Sequence, residues 1–259
     1  MEINFSKYQG TGNDFVLIDG TKETVKFSAS EIQTICERRF GIGADGLIII
    51  RNHADSDFEM DYYNADGSQS FCGNGSRCAQ AYAKTLGLIE DQSTFLAIDG
   101  IHKGRSVGDD FATQMGEVKE VQQLGDDYFV QTGSPHYIRY VEDVDAVDVY
   151  NEGRQIRYSD AYRDKGTNVN FVSEQDGFLR VRTYERGVEG ETFSCGTGVT
   201  AVAISFLYKN RLDSKQVKIL TRGGELRIAL NKVSDREYND IWLVGPAVEV
   251  FKGRFELRK

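Results

Sequence analysis

A cysteine followed by a glycine-rich turn occurs twice in this chain, and this repeated turn constrains the fold more than any other feature. The first copy reads Phe71-Cys-Gly-Asn-Gly-Ser-Arg-Cys78, and the second reads Ser194-Cys-Gly-Thr-Gly198. After each turn the sequence is small or apolar on several faces, which is typical of a helix inside a protein. The pattern therefore predicts two buried helices that each begin at a thiol, Cys72 or Cys195.

Landmarks upstream of the two cysteines recur in the same order, which indicates an internal duplication. Thr11-Gly precedes Cys72 by 61 residues, and Thr132-Gly precedes Cys195 by 63. Two copies of one unit account for this order, so we predict an α/β (α+β) fold of two pseudo-symmetric domains. We expect each domain to be an antiparallel, barrel-like sheet around a central buried helix, with the two helix N-termini facing each other across a cleft.

Composition and charge exclude several classes of function. The net charge of −9 opposes binding to a phosphate backbone, so we expect no nucleic-acid partner. The N-terminus lacks a signal-peptide pattern and no apolar run reaches a membrane span, so we expect a cytoplasmic protein without a membrane partner. Four scattered cysteines and three distant histidines do not have zinc-site spacing, so we expect no metal.

Two thiols in equivalent settings favour a symmetric reaction. A base that removes a proton from one face of a carbon, with an acid that delivers a proton to the other face, inverts its configuration. A thiol with a pKa of about 8.5 is only roughly 3% ionised at pH 7. A helix N-terminus can lower this pKa by roughly 1.5 units, and one thiolate then opposes ionisation of the other. Cys72 and Cys195 would therefore share one proton.

Two other chemistries compete with this one. A single nucleophilic cysteine would use only one thiol, so two thiols in equivalent settings argue against it. Alternatively, Cys72 and Cys195 could form a switchable disulfide in a non-catalytic redox protein. Activity under reducing conditions favours proton transfer by the two thiols, whereas a function present only after oxidation favours the switch.

Polar groups near the two turns are suited to an amino-acid substrate. The backbone N–H groups after each cysteine can stabilise the carbanion beside a carboxylate. Arg186 offers a planar guanidinium for a carboxylate, and Glu185 beside it suits an ammonium group. His136 can hydrogen-bond a thiol or the substrate amine. Neutral amides suit a zwitterion and occur at Asn13, Asn64 and Asn168. This chemistry requires neither a metal ion nor an organic cofactor.

Six motifs in this chain resemble those of the diaminopimelate epimerase family, which are pyridoxal-independent amino-acid epimerases. They extend almost from end to end, and together they are far more specific than a single glycine turn. The motifs are Thr11-Gly-Asn-Asp-Phe-Val, Gly41-Ile-Gly-Ala-Asp-Gly, Tyr63-Asn-Ala-Asp-Gly-Ser, Cys72-Gly-Asn-Gly-Ser-Arg-Cys, Tyr184-Glu-Arg-Gly and Cys195-Gly-Thr-Gly.

The resemblance implies interconversion of LL- and meso-diaminopimelate, on the route to lysine and peptidoglycan precursors, by a cofactor-independent isomerase. By this likeness Cys72 and Cys195 are the two catalytic bases, and His136 and Glu185 tune the thiols. The implied substrate-binding residues are Asn13, Asn64, Gly73, Asn74, Ser134, Asn168, Glu185, Arg186, Gly196 and Thr197.

The resemblance also implies a homodimer and a C-terminal strand that returns to the first domain. We therefore expect an N-terminal domain of residues 1–114 with a strand at about 252–259, and a C-terminal domain of residues 115–251.

Two positions depart from the family pattern. Ser134 occupies a position where the family usually has asparagine, and Gly46 one where many members have glutamine. The nearest rival is another two-thiol racemase of the proline or hydroxyproline type, which lacks a second carboxylate site. Arg186 together with Asn64 and Asn168 favours a substrate with two charged ends.

Overall fold

A computed structural model describes residues 1–175 and 177–257, which form two compact units. The first unit comprises Met1–Thr113 together with the C-terminal segment that begins at Gly245, and the second comprises Gln114–Val244. The domain limits expected from the sequence, 1–114 with 252–259 and 115–251, remain predictions. No helix in the described part of the chain is long and apolar enough to span a membrane.

The chain alternates short groups of strands with single helices. Its elements are β1 (Glu2–Gly10), β2 (Asn13–Asp19), α1 (Ala29–Cys36), β3 (Gly46–Arg51), β4 (Phe58–Asn64), α2 (Gly73–Thr85), β5 (Gln92–Ala97), β6 (Gly100–Val107), β7 (Asp110–Gln114), β8 (Val121–Leu124), β9 (Asp127–Gln131), β10 (Pro135–Tyr140), α3 (Val149–Arg157), β11 (Asn168–Gln175), β12 (Phe178–Glu185), β13 (Gly190–Thr192), α4 (Gly196–Asn210), β14 (Gln216–Thr221), β15 (Gly224–Lys232), β16 (Tyr238–Gly245) and β17 (Val248–Glu256). A short 3-10 turn, Val144–Ala146, precedes α3.

The two units share one order of strand pairing. In the first, β1–β2 is antiparallel, β2–β3 parallel, β3–β4 antiparallel, β4–β5 parallel, and β5–β6–β7 antiparallel. In the second, β9–β10, β10–β11, β11–β12, β12–β14 and β14–β15–β16 repeat that sequence of directions. The pairing therefore confirms the predicted two-unit α+β fold built on an internal duplication.

The prediction that each sheet is antiparallel throughout was wrong, because each unit contains two parallel pairs. Parallel neighbours need a crossover connection, which a tight turn cannot provide. Helices α1 and α2 lie in the two crossovers of the first unit, and α3 and α4 lie in those of the second. The two thiols therefore lie at equivalent crossovers, each just before a helix.

The two helices that follow the thiols are buried, as the sequence predicts. Helix α2 packs its alanines against aromatic and aliphatic residues of the surrounding strands, including Phe15, Ile48 and Phe95. Helix α4 is apolar on nearly every face, and its buried Val202 and Leu207 join a second core. Full burial of one such side chain stabilises the fold by about 1.5–3 kcal/mol. Each core therefore fixes the position of a helix N-terminus and its cysteine.

The two outer helices begin at polar caps. Helix α1 begins after Ser28, which forms a reciprocal capping box with Glu31, and its Cys36 is buried in the core. Helix α3 has an Asp148 cap and was not predicted. A Cβ on its Gly153 would approach the Tyr184 Cβ to 2.4 Å, so a glycine there allows close packing on β12.

The C-terminal strand closes the sheet of the first unit. Strand β17 pairs antiparallel with β1, with Ile3 opposite Phe255 and Lys7 opposite Phe251. It begins at Val248, earlier than the start expected near residue 252. This pairing keeps the edge of β1 covered, which removes an exposed strand edge from the first unit.

Candidate active site

The Cys72 thiol occupies the N-cap of α2. Its backbone is extended (φ −132°, ψ 112°), and the N–H of Gly75 donates to Sγ at 3.4 Å. The Ser76 N–H donates to the Cys72 carbonyl at 2.8 Å, which closes the first turn. An N–H directed at sulfur, at the positive end of a helix dipole, favours the thiolate. The half-buried Cys72 therefore has the setting of a reactive thiol.

Asn13 touches the same sulfur from the β1–β2 turn. Its Oδ1 lies 3.7 Å from Cys72 Sγ, and Asn74 Nδ2 donates to the same oxygen at 3.4 Å. Asn13 Nδ2 donates to Asp45 Oδ2 at 2.7 Å, and this bond fixes which end of the amide faces the thiol. A carbonyl oxygen accepts from S–H, so Asn13 supports the protonated form. Opposing contacts thus leave both protonation states accessible.

Asp45 is itself held by a cluster of charges in the first unit. Arg38 donates to both Asp14 and Asp45, and the buried Lys7 pairs with Asp14 at 2.7 Å. Burial alone would raise the pKa of Asp14, but the hydrogen bonds from Arg38 and Lys7 outweigh it and lower the pKa to about 2. Asp14 is therefore ionised at neutral pH. The sequence reasoning missed Asp45, although its place in the Gly41-Ile-Gly-Ala-Asp-Gly motif was a signal.

Asn64, predicted to bind substrate, is engaged within its own turn. Its Nδ2 donates to Ser68 and Ser70, and the Tyr62 hydroxyl donates to its Oδ1 at 2.9 Å. Gly46, where many family members have glutamine, pairs with Asn64 across β3–β4. A Cβ on Gly46 would approach Tyr62 Cε2 to 2.5 Å. The tyrosine ring therefore fills the space that a side chain at Gly46 would need.

The Cys195 thiol occupies the N-cap of α4 with almost the same backbone (φ −124°, ψ 110°). Its side chain does not cap α4, unlike that of Cys72. Instead, Cys195 Sγ lies 3.5 Å from the hydroxyl of Thr197 within the same turn. The Thr132 hydroxyl donates to the Thr197 carbonyl at 2.9 Å and holds this turn against the end of β9. The second thiol is therefore contacted by a hydroxyl where the first is contacted by an N–H.

His136 lies behind Thr197 and is fully buried. The Thr183 hydroxyl donates to Asn170 Oδ1 at 3.0 Å, so Asn170 Nδ2 faces His136 Nδ1 at 3.2 Å. Because an amide N–H can only donate, Nδ1 accepts and the proton lies on Nε2. Nε2 then donates to Thr197 Oγ1 at 2.9 Å. Asn168 Nδ2 also approaches Nε2, but at 3.5 Å, and it donates to the Pro135 carbonyl at 3.1 Å.

This orientation determines where the Thr197 hydroxyl donates. Since its oxygen accepts from His136, its own proton is available to Cys195 Sγ. Burial, and to a lesser degree the positive charge of Arg186, lowers the pKa of His136 to about 3. The imidazole is therefore neutral at physiological pH and acts through hydrogen bonds. The resulting chain from Asn170 through His136 and Thr197 supports a thiolate at Cys195.

Arg186 and Asn168 lie together beside the second turn. Asn168 Oδ1 accepts from the Arg186 backbone N–H at 2.9 Å, and Arg186 Nη1 donates to the Lys165 carbonyl at 2.9 Å. No carboxylate of the described residues forms an ion pair with Arg186, whose side chain is exposed. Glu185 accepts from Thr192 Oγ1 at 2.8 Å. Arg186 thus keeps donors for an anionic ligand.

The described contacts form two clusters, one around each thiol. The first joins Cys72, Asn13 and Asn74, and the second joins Cys195, Thr197 and His136, with Asn168 beside it. Ser134 is half-buried in the β9–β10 turn, where its carbonyl accepts from Thr132. The buried Gly73 and Gly196 open the two helices. Within residues 1–175 and 177–257, His, Cys, Asp and Glu nowhere gather in threes as metal ligands do.

Two further groups in these clusters were missed from the sequence. Asn170 was passed over as part of an apolar strand, although it follows Asn168 by two positions and so shares its face of β11. Tyr62 was also missed, because its ring lies over Gly46, where a side chain would leave no room for it. Cys36 and Cys78 are packing residues, since both are buried and burial raises the pKa of each to about 12.

Comparison with known proteins agrees with these motifs. The sequence model described as diaminopimelate epimerase matches residues 5–121 and 128–249. A protein named diaminopimelate epimerase, an isomerase from Flavobacterium psychrophilum, is 47% identical over 251 residues, which is 95% of this chain and 97% of that protein.

Two solved structures share the fold at low identity. A Bacillus anthracis phenazine biosynthesis protein of the PhzF family is 14% identical with a TM-score of 0.74, covering 99% of each chain. A hydroxyproline epimerase from Agrobacterium vitis is 14% identical with a TM-score of 0.71, covering 100% of this chain and 93% of that one. These likenesses confirm the fold, while the family match and the close relative show that this chain belongs to the diaminopimelate epimerase family.

Proposed function

We propose that this protein interconverts LL- and meso-diaminopimelate, with Cys72 and Cys195 as the two proton-transfer groups. The observation that supports this most strongly is that both thiols are N-caps of buried helices at equivalent crossovers of a duplicated fold. A reaction that starts from either stereoisomer needs a competent base on each face of the α-carbon. Two equivalent thiols meet that need.

The reaction proceeds in two balanced proton transfers. One cysteine, as thiolate, forms an S–H bond with the α-hydrogen, and the electron pair of the broken C–H bond stays on the α-carbon beside the carboxylate. The other cysteine gives its proton to the opposite face, so its S–H bond breaks and a new C–H bond forms. The enzyme ends with the protonation of its thiols reversed. Proton exchange with solvent, or the reverse reaction, restores the starting state.

The backbone N–H groups that open α2 and α4 stabilise the carbanion and its carboxylate. Gly73, Asn74, Gly196 and Thr197 supply these donors at the positive ends of the two helices. A single preorganised donor to a developing charge is worth about 2.7–4 kcal/mol in other enzymes. Because such donors are fixed before the substrate binds, they require no reorganisation during proton transfer.

The remote end of the substrate is recognised by Arg186. The backbone N–H of Arg186 donates to Asn168 Oδ1, and Nη1 of its exposed guanidinium donates to the Lys165 carbonyl. The other guanidinium donors suit a second carboxylate. Glu185 next to it suits the remote ammonium group. This pair favours diaminopimelate over proline or hydroxyproline, which have only one carboxylate. Asn13, Asn64 and Ser134 complete the proposed substrate contacts, and His136 and Glu185 tune the thiols.

The activity is tested by supplying LL-diaminopimelate to reduced protein in heavy water. The α-proton signal should disappear as meso-diaminopimelate forms with deuterium at that carbon. Proline and trans-4-hydroxyproline, supplied in parallel, should keep their α-protons. Exchange of proline instead of diaminopimelate would support the rival racemase, and no exchange of any of the three would refute amino-acid epimerisation.

Three wider features belong to the same proposal. The two compact units would act as the two domains, each contributing one thiol. The protein would work as a homodimer in the cytoplasm, where precursors of lysine and peptidoglycan are made. Sedimentation equilibrium at micromolar concentration should give twice the mass of 29.1 kDa, whereas a single-chain mass would exclude the dimer.

A further inference from the structure

Arg77 is a fully buried cation one turn inside the helix that begins at Cys72. The other buried polar side chains of α2, those of Asn74, Ser76 and Gln80, are neutral, so Arg77 is the residue that brings a charge into this buried helix. Burial of an unpaired ion costs several kcal/mol. A buried arginine in this position therefore needs a physical reason.

All four acceptors around the guanidinium are neutral. Nη1 donates to Asn74 Oδ1 at 3.0 Å and to the Gly73 carbonyl at 3.5 Å. Nη2 donates to Thr11 Oγ1 at 3.3 Å, and Nε donates to the Pro246 carbonyl at 3.4 Å. These contacts give each guanidinium nitrogen a neutral partner and leave its charge without an ion pair.

No carboxylate of the described residues lies within ion-pair distance of Arg77. Burial lowers the pKa of Arg77, and negative charge at Cys78, Cys72 and Asp110, in that order, raises it. Burial also raises the pKa of Cys78 to about 12, so Cys78 is protonated at neutral pH. Cys72 is therefore the titratable group near Arg77 whose negative charge would offset the buried cation, ahead of the weaker influence of Asp110.

We propose that Arg77 is a positioning residue whose fixed buried charge favours the thiolate of Cys72, and that the matching helix position of the second unit, Thr200, carries no charge. The inference rests on the proposed role of Cys72 as a proton-transfer group. Arginine suits this task because its guanidinium stays protonated even when buried. A positive charge near a cysteine is a known means of increasing its thiolate fraction.

Arg77 also orders the amides that touch the thiol. By donating to Asn74 Oδ1, it turns Asn74 Nδ2 towards Asn13 Oδ1 at 3.4 Å, the oxygen that lies 3.7 Å from Cys72 Sγ. Gly10 covers the guanidinium so closely that a Cβ there would be 3.2 Å from Arg77 Nη2. The close cover excludes water, and a charge interaction is stronger where water is excluded.

The second unit has a neutral residue at the matching position. Thr200 follows Cys195 by the same number of residues as Arg77 follows Cys72, and its buried hydroxyl donates to the Gly196 carbonyl at 2.9 Å. Support for Cys195 comes instead from neutral His136 through Thr197. The charge effect is therefore specific to Cys72.

The test measures how the rate of iodoacetamide alkylation of Cys72 depends on pH, in a Cys195→Ser background. Mass spectrometry confirms that Cys72 is the modified residue. The midpoint is the pH at which the alkylation rate of Cys72 reaches half of its maximum. Arg77→Gln should raise this midpoint by at least one pH unit, which lowers the alkylation rate at pH 7 about tenfold.

The control variant is Arg51→Gln, which removes a guanidinium paired with Asp61 at the opposite end of β3 from the Asn13 turn. It should leave the Cys72 midpoint unchanged. If Arg77→Gln leaves the midpoint unchanged, the proposed charge effect is refuted.

A second comparison keeps Arg77 intact and so does not depend on folding of an Arg77 variant. Cys72 in the Cys195→Ser protein should have a lower alkylation midpoint than Cys195 in the Cys72→Ser protein. Equal midpoints, or a lower one for Cys195, would overturn the proposal. The alkylation measurement does not depend on turnover, so the two proposals can fail separately. If the parent protein epimerises diaminopimelate but Arg77→Gln does not shift the Cys72 midpoint, only the role of Arg77 is refuted. If the midpoint shifts but the parent protein is inactive on diaminopimelate, the proposed function is refuted instead.

Discussion

The Cys72 and Cys195 turns have nearly the same backbone but different means of supporting a thiolate. Both cysteines are extended N-caps of buried helices, with φ and ψ of −132° and 112° in the first and −124° and 110° in the second. Cys72 accepts an N–H from its own helix and lies near the buried Arg77. Cys195 instead contacts Thr197, which is backed by neutral His136.

The difference indicates which parts of a duplicated site are constrained. In the proposed reaction the helix N-terminus and its backbone donors are needed on both faces of the substrate carbon, which accounts for the presence of the turn in both copies. The surroundings of each sulfur need only reach a suitable balance between thiol and thiolate, and different residues can do this. The first unit uses a charge, and the second uses oriented hydrogen bonds.

The largest expected effect comes from removing either sulfur. Cys72→Ser and Cys195→Ser should each lower kcat by about 10³-fold in both directions, because general acid–base catalysis contributes 10²–10⁴-fold. Cys36→Ala, at a buried cysteine in the α1 core, should stay within about twofold of the parent and serves as the control. If either Cys72→Ser or Cys195→Ser remains active, one thiol turn is enough for the reaction, and the two turns do not have equivalent roles.

The next effect tests a difference between the strands that precede the turns. Leu47 pairs with Tyr63 as Val169 pairs with Tyr184, so Gly46 is the counterpart of Asn168. Gly46→Ala should destabilise the protein by about 2–3 kcal/mol in urea unfolding, since the new Cβ meets Tyr62 Cε2 and the Tyr63 carbonyl at 2.5 and 2.6 Å. Unchanged stability would show that the tyrosine ring is not confined as described.

The matched control is Gly116→Ala, where nothing lies within 4 Å of the added Cβ. This variant should remain within about 0.5 kcal/mol of the parent.

The buried histidine of the second unit makes a smaller contribution that depends on pH. The pKa of His136 is lowered to about 3, whereas an unfolded histidine titrates near 6.5. Between these values the unfolded chain binds the extra proton, so stability falls as pH falls below about 6.5. At pH 5 this loss is about 2 kcal/mol, and it should be absent from His136→Gln in urea unfolding at pH 7.5 and 5. Equal losses in both proteins would contradict a neutral buried His136.

The smallest expected effect concerns the hydroxyl between His136 and Cys195. Thr197→Val removes the donor to Cys195 Sγ and should lower alkylation of Cys195 about tenfold at pH 7, measured in a Cys72→Ser background. Alkylation of Cys72 in the Cys195→Ser background should not change. If the valine variant slows both thiols equally, the effect is not local to the second turn.

The sequence predicted the duplication because glycine turns and buried helices leave local patterns. Cys72, Cys195 and their helices were identified in this way, and the structure confirms that each thiol opens a helix. The relative directions of paired strands were harder to predict from the sequence, because the alternation of apolar and polar residues does not distinguish parallel from antiparallel neighbours. Helix α3 was missed because Gly153 is unfavourable in a helix and its benefit comes from contact with Tyr184.

The contacts around the sulfurs could not be predicted from sequence patterns, because they join distant segments. Arg77 has a motif position, but its burial beside Thr11 and Pro246 depends on the tertiary fold. The counterpart of Asn168 also depends on the tertiary fold, because the segments between the strands and the two cysteines differ in length. The register of β3–β4 and β11–β12 gives Gly46 as that counterpart.

The most direct test of the two-base account is the location of deuterium during the first turnovers in heavy water. LL-diaminopimelate and newly formed meso-diaminopimelate are separated at low conversion, and deuterium at the α-carbon is measured in each by mass spectrometry. If different thiols remove and deliver the proton, the product carries solvent deuterium while the remaining substrate keeps its original hydrogen. Equal deuterium in both, or product that retains the original hydrogen, would contradict the pairing of Cys72 with Cys195.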